Sequence, residues 1–327
     1  AITRQIQRGS GQLQLMIRPD YQFLTQLLTS ARHDDTTLVI SHIICLNNTD
    51  QVTTARKNYN LHTLMNILPL CSCGCQYQPY YYYDNLSAHL ETFRLFPYLI
   101  LTDEYAVILS ETLQTGLFTR QQDILSMLEI IFNNYVDLSR PLLTKVENVY
   151  DQIRYVQRIL VEDASVEYSF QMTPCMTALL PHEFLEKYVS HDIPSRESFI
   201  NTFEEHIHNT YDCHLNRNHT LIFSEEGVWE FLRTGHLEEY PSYIYITPEP
   251  EDRIMLIARL IKELRQNIYH MRMLKQSIGP LRNGANIYIT SSSGYLLFTP
   301  LDSGTPIYLN IEETGLLQSF LDFFETL

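Results

Sequence analysis

The chain has 327 residues, 45% of them hydrophobic and only 19% charged, with 22 tyrosines and 15 phenylalanines. That length exceeds what one hydrophobic core usually fills, and the composition is the opposite of a disordered segment's, so two packed domains or one duplicated domain are expected. Twenty-three Lys and Arg against 38 Asp and Glu leave a net charge of −15, a field that repels phosphate backbones and excludes the chain as a whole as a nucleic-acid-binding surface.

The first 20 residues carry the one basic bias, Arg4, Arg8 and Arg18 with no acidic residue before Asp20. They lack the apolar core of a signal peptide, and no apolar run approaches the roughly 18 to 20 residues that cross a bilayer, so the expected compartment is the cytoplasm. The sequence opens on Ala1 rather than Met and is read as a piece of a longer protein. Six cysteines in so long a chain are too sparse for a disulfide framework and fit a reducing interior.

A first α/β repeat is assigned to residues 21–140. Leu61–Leu68 reads as a helix. Cys71, Cys73 and Cys75 follow at alternate positions and, on a strand, would turn three thiolates to one side with His62 nearby in sequence; they are weak metal candidates, because the spacing matches no strong zinc signature and buried thiols act as small hydrophobes. Tyr80, Tyr81, Tyr82 and Tyr83 read as a strand whose rings suit a ligand pocket, each a flat apolar body with a polar tip. Two runs around the turn residues Thr102–Glu104 form a hairpin, Gly116–Thr119 a further strand, and Ile124, Leu125, Leu128, Ile131, Phe132 and Tyr135 the apolar stripe of a helix.

Residues 141–327 form the second repeat. Val149, Ile153, Val156 and Leu160 mark a linking helix over 145–161. Glu204 to His208, with Asp212, Cys213, His214 and His219, has metal-ligand residue types, but His206 and His208 diverge on a helix, so a solvated helix end is expected. Ser224 with Glu225 and Glu226 starts a helix that Gly235 stops. Tyr243 and Tyr245 fall in a run matched to Tyr80–Tyr83, and with Trp229 they complete the guessed ligand-binding set. Ile257, Leu260, Ile261, Leu264, Ile268 and Met271 predict one long helix over 251–276. The hairpin then recurs around Ser291–Gly294, with Tyr98 matching Tyr288, Leu99 matching Ile289 and Tyr105 matching Tyr295 at one shared offset. Strand Ile307–Ile311 and a helix bearing Leu316, Leu317, Phe320, Phe323, Phe324 and Leu327 close the second copy. The predicted class is therefore α/β (α+β), two tandem pseudo-repeats that are each a small, mostly antiparallel sheet with covering helices.

Neither a nucleophile elbow, a P-loop, a dinucleotide-binding glycine fingerprint nor a zinc-protease motif occurs, and the glycines of Gly9–Gly11 lack the Lys-Ser/Thr that a phosphate cradle needs. No cofactor and no catalytic residue is assigned. The carboxylate pairs near strand ends, Asp103/Glu104, Glu225/Glu226 and Glu312/Glu313, leave an enzyme with dispersed acid–base residues as the alternative.

Three segments, IFSEEGVWEFLRTG (222–235), EDRIMLIARL (251–260) and IEETGLLQSFLDFFETL (311–327), resemble the C-terminal sensor region behind helix-turn-helix DNA-binding domains in Firmicutes transcriptional regulators. Thr3–Gly9 is similar to the end of a recognition helix and its following turn, which makes 1–20 the remnant of a DNA-binding domain. The resemblance implies a bacterial ligand-sensing or dimerising module without catalysis. It also implies a homodimer with an unknown small-molecule effector, touching DNA only through an attached helix-turn-helix domain and touching no membrane.

Overall fold

Two sheets of seven strands, six of which follow the same order in each, organise the chain. The computed structural model describes residues 2–30, 37–47, 59–84, 97–146, 148–161, 166–216, 218–266, 270–275, 285–299 and 306–327. They fall into two compact units, 1–144 and 145–327.

In the first unit α1 (Ile2–Arg8) leads into β1 (Ser10–Met16), α2 (Gln22–Ser30), β2 (Thr37–Asn47), α3 (Tyr59–Cys71) and β3 (Gln76–Asp84). A meander follows, β4 (Tyr98–Thr102), β5 (Ala106–Leu109) and β6 (Gly116–Thr119), then α4 (Gln122–Leu138) and the short β7 (Arg140–Pro141). The strand order is β6-β5-β4-β1-β2-β3-β7, with β1, β2 and β3 parallel and the other pairs antiparallel. β2 lies inside the parallel part, which is why Leu38, Ile40, Ile43, Ile44 and Leu46 make it apolar on both faces.

The second unit repeats that path, after β8 (Thr144–Val146) at one edge of its sheet. α5 (Val149–Val161) precedes β9 (Val166–Phe170), and a one-turn 3-10 helix (Thr177–Leu179), α6 (His182–Tyr188) and α7 (Arg196–Asn216) fill the connection to β10 (Asn218–Ser224). Then come α8 (Glu225–Thr234), α9 (Pro250–Arg265), β11 (His270–Leu274), β12 (Asn286–Thr290), β13 (Gly294–Phe298), β14 (Ile307–Ile311) and α10 (Thr314–Thr326). The order β11-β10-β9-β12-β13-β14-β8 matches the first sheet strand for strand over six strands, again with three parallel strands beside an antiparallel meander.

In each unit one helix covers one sheet face with a fully buried phenylalanine among its contacts. Leu125 and Phe132 of α4 pack on Ile43, Leu99, Leu101 and Ala106. Phe324 of α10 stacks on Tyr168 at 5.5 Å and on Phe170 at 6.2 Å between ring centroids. Both phenylalanines are fully buried, a gain of about 2 to 3 kcal/mol each. Ser224 caps α8 by accepting from Gly227 N at 2.9 Å, and Gly235 ends that helix at φ 70°, donating its N–H to Phe231 O at 2.7 Å.

Four sequence expectations change. Residues 1–20 do not stand apart from the first repeat, because β1 lies between β2 and β4 in its sheet. The predicted helix over 251–276 ends at Arg265, and 270–274 is the edge strand β11 on β10. An edge strand exposes polar residues such as His270 and Arg272, so its pattern passes for the solvent face of a helix. β11 is thus the counterpart of β3, whereas Tyr243–Ile246 is loop apart from a lone bridge between Tyr245 and Val189. Finally, the hairpins align two residues away from the Tyr98–Tyr288 match. Thr102 Oγ1 accepts from the N–H groups of Glu104 and Tyr105 and donates to Tyr105 O. Thr290 Oγ1 repeats this with Ser292, Ser293 and Ser293 O. Thr102 therefore corresponds to Thr290, Ile100 to Tyr288 and Tyr98 to Asn286.

Candidate functional site

The connection from β9 to β10 is pinned from several sides. Gln171 N donates to Ile222 O at 3.1 Å, and the hydroxyl and N–H of Ser224 both donate to Met172 O at 3.1 Å. Gly227 packs so close that an added Cβ would meet Met172 O at 1.7 Å, which excludes any other residue there without a backbone shift. Thr173 N donates to Glu238 at 3.2 Å and Met176 N to Glu239 at 3.3 Å.

Beside this pinned segment the second unit holds a cavity of about 70 Å³. At roughly 10 to 15 Å³ per water there is room for about five waters or one small molecule. Ser169 and Gln171 from β9 and its end, His219 from β10, Asn286 and Tyr288 from β12, Tyr295 from β13 and Tyr308 from β14 form its floor. Gln152, Ile153 and Val156 of α5 and His206 and Thr210 of α7 face them, and Cys175, Thr177, Glu239 and Tyr240 close one side. The Tyr155 hydroxyl donates to Gly294 O at 2.9 Å and holds α5 to the hairpin.

Part of the lining is internally bonded. Asn286 Nδ2 donates to Gln171 Oε1 at 2.7 Å, Gln171 Nε2 donates to Glu239 at 3.1 Å, and Ser169 and His219 bond at 3.0 Å. The Thr177 and Tyr240 hydroxyls bond at 2.7 Å. Other groups find no hydrogen-bond partner among the described residues: both side-chain atoms of Gln152, Nδ1 of His206, Oδ1 of Asn286 and the Tyr308 hydroxyl. These four residues are 2 to 6% exposed. An unpaired buried polar group costs about 1 to 3 kcal/mol, and folding alone gives no reason to keep a cluster of them around one cavity.

Burial sets the charge state. It pushes His206 down to about 4 and His219 down to about 3, so both imidazoles are neutral near pH 7. Burial, and then Glu239, hold the Cys175 thiol and the Tyr240 phenol well above their ordinary values; burial and then Cys175 do the same for the Tyr295 phenol. Glu238, behind the cavity wall, is pushed up to about 7, first by burial and then, against the pull of Thr173 N–H, by Glu239.

The residues singled out from sequence lie elsewhere. Tyr80, Tyr81, Tyr82 and Tyr83 form β3 of the first unit, with Tyr81 buried and Tyr83 exposed. Trp229 is 65% and Tyr243 61% exposed, and Tyr245 accepts from Leu237 N at 3.0 Å. None of the seven lines the cavity. Cys71, Cys73 and Cys75 are not on a strand: α3 ends at Cys71, β3 begins at Gln76, and the Cys71 and Cys73 thiols donate back to Ile67 O and Leu70 O. Among the described residues no three His, Cys, Asp or Glu side chains gather as a metal-ligand set. The carboxylate pairs are engaged locally: Asp103 with Gln5, Glu104 with Arg8, Glu312 with Arg158, and Glu313 capping α10, while Glu225 and Glu226 sit in the first turn of α8.

His206 and His219 correct the expectation of a solvated helix end. Both are buried in the cavity wall, whereas His208 is solvent-facing and pairs with Asp212 at 3.2 Å. Gln152, Glu239 and Asn286 had not been singled out. Gln152 carried a legible signal, a polar residue on the same helical face as Val149, Ile153, Val156 and Leu160.

No helix among the described residues is long and apolar enough to cross a membrane. No protein-family model matches the chain, and no curated protein matches it. Among solved structures, TrmBL2, an archaeal chromatin protein, is similar at a TM-score of 0.30 and 8% identity, over 63% of this chain and 59% of that one. A polyphosphate kinase from Porphyromonas gingivalis is similar at a TM-score of 0.27 and 10% identity, over 99% of this chain and 47% of that one. The chain thus spans 59% and 47% of the lengths of these two structures, and likenesses this slight carry neither its fold nor its role across.

Proposed function

We propose that this chain is the ligand-sensing module of a bacterial transcriptional regulator, a binding rather than a catalytic unit, with the cavity of the second unit as its small-molecule site. The observation that carries the reading is the cluster of buried, unpartnered polar atoms on Gln152, His206, Asn286 and Tyr308 around one cavity. A bound molecule that completes those hydrogen bonds stabilises the liganded state by what the empty state forgoes. The lining supports binding over turnover: the histidines are held neutral at low pKa, the Cys175 thiol is held protonated, and Glu239, the one carboxylate facing the cavity among the described residues, is already engaged by two donors. To act as a switch, the ligand must favour one arrangement of the module over another, in a homodimer that passes the change to an attached DNA-binding domain.

Native mass spectrometry of the purified chain, with and without a metabolite library, tests this. An adduct accompanied by tighter dimerisation is expected. A monomer that converts a library compound without retaining it would overturn the reading in favour of an enzyme.

A further inference from the structure

Resting on that reading, we propose that the cavity takes an uncharged, polyhydroxylated small molecule of monosaccharide or cyclic-polyol size, recognised through the Gln152 carboxamide. The unpartnered atoms are of mixed kind. Gln152 offers a donor and an acceptor, Asn286 an acceptor, and Tyr308 a hydroxyl that does either. Hydroxyl groups, which donate and accept, complete such a set. A carboxylate or a fully ionised phosphate only accepts and would leave Asn286 Oδ1 unmet. An ammonium only donates and would leave Gln152 Nε2 unmet.

Charge points the same way. Among the described residues no Lys or Arg lines the cavity, and its histidines are neutral, so an anion would enter without a counter-charge beside Glu239. Glu239 in turn already accepts from Gln171 Nε2 and Met176 N, which leaves less of its charge for a cation. The walls suit a carbon skeleton edged with hydroxyls: Tyr288 and Tyr295 stack at 5.4 Å with planes 15° apart, while Ile153, Val156 and Leu297 supply apolar surface.

The test is thermal-shift and calorimetric titration of the full chain with matched sets of probes. The neutral set is glucose, galactose, mannose, ribose and myo-inositol; the cationic set is glucosamine, galactosamine and mannosamine; the anionic set is gluconate, glucuronate and galacturonate. At least one neutral probe should raise the melting temperature and bind, and its charged analogues should not. Gln152→Leu should weaken that binding roughly tenfold or more while leaving the unliganded melting temperature unchanged or higher, because it removes an amide with no partner among the described residues. Tyr308→Phe, which keeps the ring, should weaken binding by a smaller factor. Binding by a charged probe alone overturns the ligand class and leaves the cavity as a binding site. Failure of every neutral probe also overturns the ligand class. If Gln152→Leu and Tyr308→Phe then also lower the melting temperature, the polar lining is structural and the binding-site reading falls with it.

Discussion

Corresponding positions of the two units are equally buried and chemically opposite. The paired registers put Leu13 against Glu167, Leu15 against Ser169, Ile40 against His219 and Ile100 against Tyr288. All eight are no more than 6% exposed. The first unit places hydrocarbon at those four positions, and the buried His42 is satisfied on both nitrogens, by Tyr77 OH at 2.8 Å and Ile17 O at 2.9 Å. The second unit builds the same face from groups that cost stability to bury. One topology thus serves as scaffold in one copy and as a polar chamber in the other. That division is what a duplication permits once one copy suffices to hold the fold.

If the copies share a scaffold, its central contacts should be worth the same in each. Phe132→Ala and Phe324→Ala should each cost their own unit about 3 to 5 kcal/mol, the usual range for a fully buried phenylalanine. Peptide-resolved hydrogen exchange reads the units separately. A loss confined to Phe324→Ala would break the equivalence.

A second effect sharpens the difference through pH. His42 in the first unit is pushed down to about 4 by burial, and His206 and His219 in the second to about 4 and about 3. Below the ordinary value of 6.5 the unfolded chain takes up protons that these folded imidazoles refuse, so each unit loses stability as pH falls from 6.5 toward about 4. Glu238 has the opposite sign. Its folded value near 7 lies above the ordinary 4.5, so the folded state holds the extra proton, and acidification through that window stabilises the second unit. Glu238→Gln removes this offset. The second unit's loss between pH 6.5 and 4.5 should steepen by roughly 1 kcal/mol per pH unit, while the first unit's is unchanged. Urea midpoints followed by hydrogen exchange across that range decide it.

The duplication, the cap at Ser224 and the stop at Gly235 were legible because each rests on local signals, periodic apolar residues and turn chemistry. The hairpin register was not. A slip of two residues leaves every side chain on its own face, so alternation cannot detect it, and the repeated tyrosines at 98, 105, 288 and 295 drew the alignment to the wrong pair. What fixes the register is the hydroxyl of Thr102 and of Thr290, each tied into its own turn. Thr102→Val and Thr290→Val keep the shape and remove the hub, and each should cost about 1 to 2 kcal/mol. The cavity was hidden for a different reason. A buried His206 and a solvated His208 look alike in one sequence, because the sheet face that buries the first comes from segments far along the chain. Gln152 alone broke a local pattern.

The smallest expected difference lies where the two covering helices begin. Glu313 caps α10 with both carboxylate oxygens, accepting from Gly315 N at 2.8 Å and Leu316 N at 2.6 Å, and it is 1% exposed. Gln121 holds the corresponding place before α4, extended at φ −69° and ψ 119°, with no side-chain cap. Its side chain has the length of Glu313's but ends in a neutral amide with a single acceptor oxygen, whereas a carboxylate offers two and also meets the positive end of the helix. Glu313→Ala should therefore cost the second unit about 1 kcal/mol, and Gln121→Ala should change the first by less than about 0.5 kcal/mol. Gln121→Asp supplies the missing acceptor on the same extended backbone and should gain about 0.5 to 1 kcal/mol. If the gain at 121 approaches the loss at 313, the two helix starts differ by one side chain alone. If Gln121→Asp gains nothing while Glu313→Ala costs its full amount, the backbones themselves have diverged, and the second copy has been reshaped around its chamber down to the helix that covers its far face.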